Sequence, residues 1–139
     1  MLAAFPLLAL PVLLYNLLML TISGGFGGAG GQRLAQPLIS LTMASHAVWP
    51  ISLGDILIAG SLLILFAELL KSAGTRRIAI LNHSLSMILF ILCLIEFLLF
   101  PAFATSTFFL IGMMVLLDVL AGFVVTIIAS RREVDFRAD

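Results

Sequence analysis

Apolar residues fill four long runs, about residues 2–23, 52–70, 78–100 and 106–130, separated by short polar or glycine-rich breaks. Each run holds the roughly 20 residues that cross a ~30 Å hydrocarbon core at about 1.5 Å per residue. Lipid offers the backbone no hydrogen-bond partners, so each run predicts a helix that pairs its own N–H and C=O groups. The expected fold class is an all-α membrane protein, a bundle of four transmembrane helices forming one integral domain. No internal repeat is visible.

The first run holds Pro6, Pro11 and Asn16 and has no basic start, which marks a retained helix rather than a cleaved leader. Pro6 falls near its beginning, where a missing N–H costs little. Pro11 lies further in and predicts a kink. After this run comes GGFGGAGG, residues 24–31, in which Gly25 to Gly30 fits the G-x-G-x-x-G dinucleotide pattern. That pattern binds a pyrophosphate only between a strand and a helix, with an acidic residue about 20 positions on. Here a membrane helix precedes it, so a helix stop and hinge is the better reading.

The next stretch, LAQPLISLTMASHAVWP (34–50), places Leu34, Leu38, Leu41 and Val48 at i, i+4, i+7 and i+14. This spacing predicts a short amphipathic helix at the outer membrane surface. Trp49, the single tryptophan, becomes its interface anchor. A loop tucked over the bundle and a partner-docking platform are the alternatives.

Composition supports the membrane reading. Of 139 residues, 63% are hydrophobic and 10% charged, against roughly 25% charged in soluble domains. The mean hydropathy is +1.28. A net charge of zero gives nucleic acid no electrostatic footing. The lone Cys93 cannot form an intrachain disulfide, and no Cys/His metal spacing occurs.

Basic residues cluster at Lys71, Arg76 and Arg77, and again at Arg131, Arg132 and Arg137. Arg33 stands alone in the first connection, and residues 101–105 hold none. The positive-inside rule then places both termini, the 71–77 connection and the tail 131–139 in the cytoplasm, with 34–50 periplasmic.

Four acidic residues fall within the apolar runs, where each charge costs about 2.5–3.5 kcal/mol on the insertion scale. Asp55 belongs to a capping box, Ser52-Leu53-Gly54-Asp55. Glu68 lies one turn before Lys71 and is expected to reach the interface with help from Lys71, or to pair with His83 on the next helix. Asn82, Ser86, Leu89, Cys93 and Glu96 form a polar stripe on the third run, facing either the bundle or a partner subunit. Glu96 falls near its outer end. Asp118 lies mid-run, with no Lys or Arg at its depth. It must be protonated, hydrogen-bonded to Ser61, Ser86 or Cys93, or matched by a partner. Met114, Asp118, Gly122 and Thr126 share its helix face, and Gly122 permits close approach. His83 is a satisfied core residue or, as the weaker alternative, a tetrapyrrole ligand.

At SLGDILIA (52–59), LNHSLSMILFILCLIEFLLFP (81–101) and STFFLIGMMVLLDVLAGF (106–123) the chain resembles small four-helix proteobacterial inner-membrane proteins with no assigned activity. The likeness spans the last three runs. It implies an inner (cytoplasmic) membrane address and no site residues.

No nucleophile elbow or H-E-x-x-H is present, so no enzyme activity is expected. The expected role is a non-catalytic accessory or assembly subunit packing within a larger energy-transducing membrane complex or against a second copy. Its contacts would be Asp118 and the third-run stripe. One alternative is a small oligomeric transporter or proton conductor using Asp118, Glu68 and His83. Another is a haem- or chlorophyll-binding subunit through His83. Lipid contacts are expected, and no cofactor or nucleotide.

Overall fold

A computed structural model describes residues 5–22, 24–28, 30–72 and 76–135, with side chains for all of these except 72, 76–80, 125, 126 and 128–135. The order of elements is α1 (Ala9–Ile22), α2 (Gly30–Leu34), β1 (Pro37–Thr42), β2 (Val48–Ser52), α3 (Leu53–Ser72), α4 (Arg76–Leu99), a 3-10 turn (Pro101–Phe103) and α5 (Ser106–Asp135). The fold is mostly helical, as expected. Three helices are long and apolar enough to cross a membrane, over Leu53–Lys71, Leu81–Leu99 and Ser106–Val124.

The first run departs from expectation. Its helix has 14 residues, about 21 Å at the helical rise, short of a ~30 Å core. Residues 2–4 lie outside the described residues. The helix begins only at Ala9, so Pro11 falls in the first turn, where its absent N–H breaks no bond. The kink predicted at Pro11 has no cause. Beyond Ile22, Gly24 and Gly25 take φ of 68° and 129°, values that L side chains rarely adopt. The glycines therefore end α1 as predicted, and Gly30 and Gly31 already belong to α2.

The stretch 34–50 is not a surface helix. Apart from Leu34 in α2, it forms an antiparallel hairpin with a bulge between Pro37 and Ile39. Apolar residues here fit period 2 as well as 3.6, and Ile39, Thr42, Val48, Trp49 and Ile51 favour the pleated surface. Pro37 and Pro50 break any helix through the stretch. Both are tolerated in a two-stranded sheet, where every strand is an edge. His46 turns the corner with φ 62°.

Each long helix offers one seam to a common core. The seams run Leu8, Val12, Tyr15, Met19 on α1 and its approach; Gly54, Leu57, Ser61, Leu65, Glu68 on α3; Asn82, Ser86, Cys93 on α4; and Phe108, Ile111, Val115, Asp118, Gly122 on α5. Spacings of three and four residues give each helix a single inward stripe. The Asp118–Ser86 and Phe109–Phe97 contacts together make α4 and α5 antiparallel neighbours. Phe5 and Leu7 bond to the end of α3, so the described start of the chain and the C-terminal half of α5 share one end of the bundle.

That end of the core is polar, and the other is aromatic. Phe103 contacts Tyr15, Phe26, Phe100 and Phe108 at ring-centroid distances of 4.9–6.1 Å. The Tyr15 hydroxyl donates to the carbonyl of Ala102 at 3.1 Å and lies 2.6 Å from Thr105 Oγ1. Thr105 also accepts the N–H of Phe108 and so caps α5.

Candidate functional site

The site grows from the polar positions of three seams. On α3, Glu68 is fully buried, one turn before Lys71. Burying a carboxylate is tolerable only when charge and hydrogen bonds replace water. Glu68 has both. Its Oε1 accepts from Lys71 Nζ at 3.0 Å and from Asn82 Nδ2, and its Oε2 accepts the N–H of Leu7 at 2.6 Å. Lys71 also donates to the carbonyl of Phe5 at 2.6 Å and to Asn82 Oδ1 at 3.0 Å. One ion pair therefore ties the chain before α1 to α3 and α4.

The pairing of Glu68 with His83 expected from sequence does not form. Lys71 and Asn82 take its place, because an i,i+3 lysine needs no interhelical reach. Nor does Glu68 extend to the interface, since its carboxylate is sealed inside the bundle.

From Asn82 the polar path continues into the core. Ser86 Oγ lies 3.0 Å from the carbonyl oxygen of Asn82 and 2.5 Å from Asp118 Oδ2. Among the three internal donors predicted for Asp118, Ser86 is the one used. The Ser61 hydroxyl turns back to the carbonyl of Leu57. Asp118 Oδ1 and both ring nitrogens of His83 are buried without a hydrogen-bond partner among the described residues. Lys71 is joined to Asp118 through Asn82 and Ser86.

His83 occupies the space opened by Gly122. A Cβ at Gly122 would collide with the imidazole carbon and nitrogen atoms. Gly122→Ala is expected to unseat the ring and cost about 1–3 kcal/mol, as overpacking does. Carbethoxylation of His83, followed by mass spectrometry, should rise in the variant while that of the exposed His46 stays unchanged.

Glu96 stands apart from this cluster. It is half-buried, and Oε2 accepts from Asn16 Nδ2 at 3.2 Å. The two residues sit in an open groove between α1 and α4, of about 390 Å³, walled by Ala9, Val12, Leu85 and Leu92 among others. Asp55 forms its capping box: Ser52 N–H and Oγ donate to Oδ2 at 2.8 and 2.6 Å, and Asp55 N–H donates to Ser52 Oγ at 3.2 Å. Trp49 lies exposed on β2. The glycine pattern is preceded by α1, with no strand before it among the described residues. Likewise, among the described residues no group of three or more His, Cys, Asp or Glu side chains could hold a metal ion.

Of the predicted site residues, the fold brings Glu68, Asn82, Ser86 and Asp118 into one network, with His83 beside it. Glu96 and Trp49 lie elsewhere. The network also recruits the Leu7 N–H and the Phe5 carbonyl, which sequence reasoning missed because backbone groups carry no sequence signal. Asn16, the one carboxamide in the first apolar run, was the visible clue to the Glu96 contact. No family model, curated protein or solved structure matches this chain.

Proposed function

We propose that this chain is a non-catalytic accessory or assembly subunit of a larger inner-membrane complex, with both termini cytoplasmic; the first crossing is made by residues 5–26, which run from the Lys71 end of the bundle to the Phe103 end although α1 alone is short. The observation that carries this reading is the open α1–α4 groove with Glu96 and Asn16 inside it. The remaining buried polar groups are turned into the chain's own core, so Asp118 and the inner stripe no longer serve as partner contacts. Among the described residues Glu96 takes one side-chain hydrogen bond, from the Asn16 carboxamide, and it lines an apolar opening. Lipid tails offer it nothing, whereas a polar side chain on a partner's transmembrane helix would complete it. The membrane address rests on the three spans and on the resemblance at residues 52–59, 81–101 and 106–123. The orientation rests on Lys71, Arg76, Arg77, Arg131 and Arg132.

The test is purification of the tagged chain from native membranes in mild detergent, with stoichiometry by mass spectrometry. A stoichiometric partner is expected, and Glu96→Leu should weaken its retention by about 3- to 20-fold. This matches the roughly 0.6–1.7 kcal/mol of an intramembrane hydrogen bond. Asp118→Asn should leave retention unchanged.

A second reading, a proton-handling protein using Asp118, Glu68 and His83, is favoured by the buried orphan atoms. The Ser86 hydroxyl has one hydrogen and two acceptors within reach, so both contacts are satisfied only when Asp118 supplies a hydrogen of its own. A partner-free chain whose liposomes conduct protons only with Asp118 intact would replace the assembly reading. Tetrapyrrole ligation by His83 is weaker support for function. Both nitrogens are buried, and the ring is wedged on Gly122.

A further inference from the structure

The register of the hairpin sorts its side chains by face. Paired residues share a face, and faces alternate along each strand. Ile39 pairs with Ile51 and Leu41 with Trp49, while Ser40 pairs with Pro50 and Thr42 with Val48. One face is therefore Ile39, Leu41, Trp49 and Ile51. The other carries both hydroxyls, Ser40 and Thr42, beside the smaller apolar residues Val48 and Pro50. The apolar face is uncovered: Ile39, Leu41 and Trp49 are 57%, 46% and 50% exposed. A lone two-stranded hairpin is marginal in water, and among the described residues nothing covers Ile39, Leu41 and Trp49 on this one, while Ile51 is half-buried.

We propose that the hairpin lies flat in the lipid headgroup layer, with Ile39, Leu41, Trp49 and Ile51 toward the acyl chains and Ser40 and Thr42 toward water. Three observations commit it to lipid. No Lys, Arg, Asp or Glu occurs from Leu34 to Gly54, so nothing charged opposes immersion. Ser52 leads without a linker into α3, whose candidate span starts at Leu53. Trp49 thus stands within about 13 Å of the span along the extended chain, the depth at which tryptophan anchors. Finally, both strands have open backbone edges, which need water and exclude the hydrocarbon centre. The headgroup layer meets all three conditions. The inference rests on α3 being a membrane span and is independent of the groove.

Trp49 is the only tryptophan, so its fluorescence reads the hairpin alone. The full chain is placed in nanodiscs containing one copy each. Quenching is compared for lipids spin-labelled near the head of the acyl chain, lipids labelled near its end, and aqueous acrylamide. Strong quenching by the shallow label, with little from the deep label or acrylamide, is expected. In a W49F background, S40W should show the reverse, with strong acrylamide quenching. Acrylamide-accessible Trp49 would overturn the proposal. So would shielding that needs two copies per disc, which would assign the face to self-association. Equal lipid quenching of the two positions would overturn the flat orientation. Failure of the chain to enter discs at all would instead overturn the span on which the proposal rests.

Discussion

Replacing Lys71 with methionine is expected to lower the stability of the solubilised protein by about 3 kcal/mol, read from its unfolding midpoint in a detergent titration. Breaking a buried ion pair by removing one partner costs about 3–5 kcal/mol. The lower end applies because Lys71 is 21% exposed, against 0% for Glu68. The loss is mainly the charge left behind. Glu68 would keep the Leu7 N–H and Asn82 Nδ2, but no cation. The Phe5 carbonyl and Asn82 Oδ1 would also lose a donor. Adding Glu68→Gln should therefore recover part of the loss, because a neutral amide needs no counter-charge. Equal destabilisation by the single and double variants would show that the lysine acts only through packing.

Phe103→Ala is expected to cost about 3–5 kcal/mol, the range for truncating a buried aromatic residue. Phe103 is fully buried and touches four other rings, so no neighbour can close the space without leaving its own partner. The damage should spread to α1. Tyr15 packs on Phe103 and holds Ala102 and Thr105 through its hydroxyl. Proteolysis between Gly24 and Gly28 should accelerate in the variant. Phe103→Leu keeps most of the volume and should cost less than about 1.5 kcal/mol.

These two variants probe opposite ends of one bundle, and those ends differed in how plainly the sequence announced them. The stripe Asn82, Ser86, Cys93 was legible because polar residues at spacings of three and four must share a helix face. Asp118 was legible as an acid without a local cation. The aromatic end was not, because Phe26 and Phe103 lie in the breaks between runs, where no periodicity shows which way they face.

Periodicity and apolar length by themselves determined the three spans, the shared polar face of the third run, the capping box at Ser52–Asp55 and the helix stop at the glycines, while giving residues 2–23 as a fourth span. All are local: they depend on residues within a turn or two, or on the uniform demand of lipid for paired backbone groups. Tertiary structure alone decided that Glu68 takes Asn82 rather than His83 from the next helix, that Ser86 serves Asp118, and that Glu96 faces the groove. It also decided that residues 37–52 pair as strands, where two periods fitted the same apolar positions. Each of these choices compares partners on different elements, and only packing, which sets which side chains arrive at the same depth, can rank them.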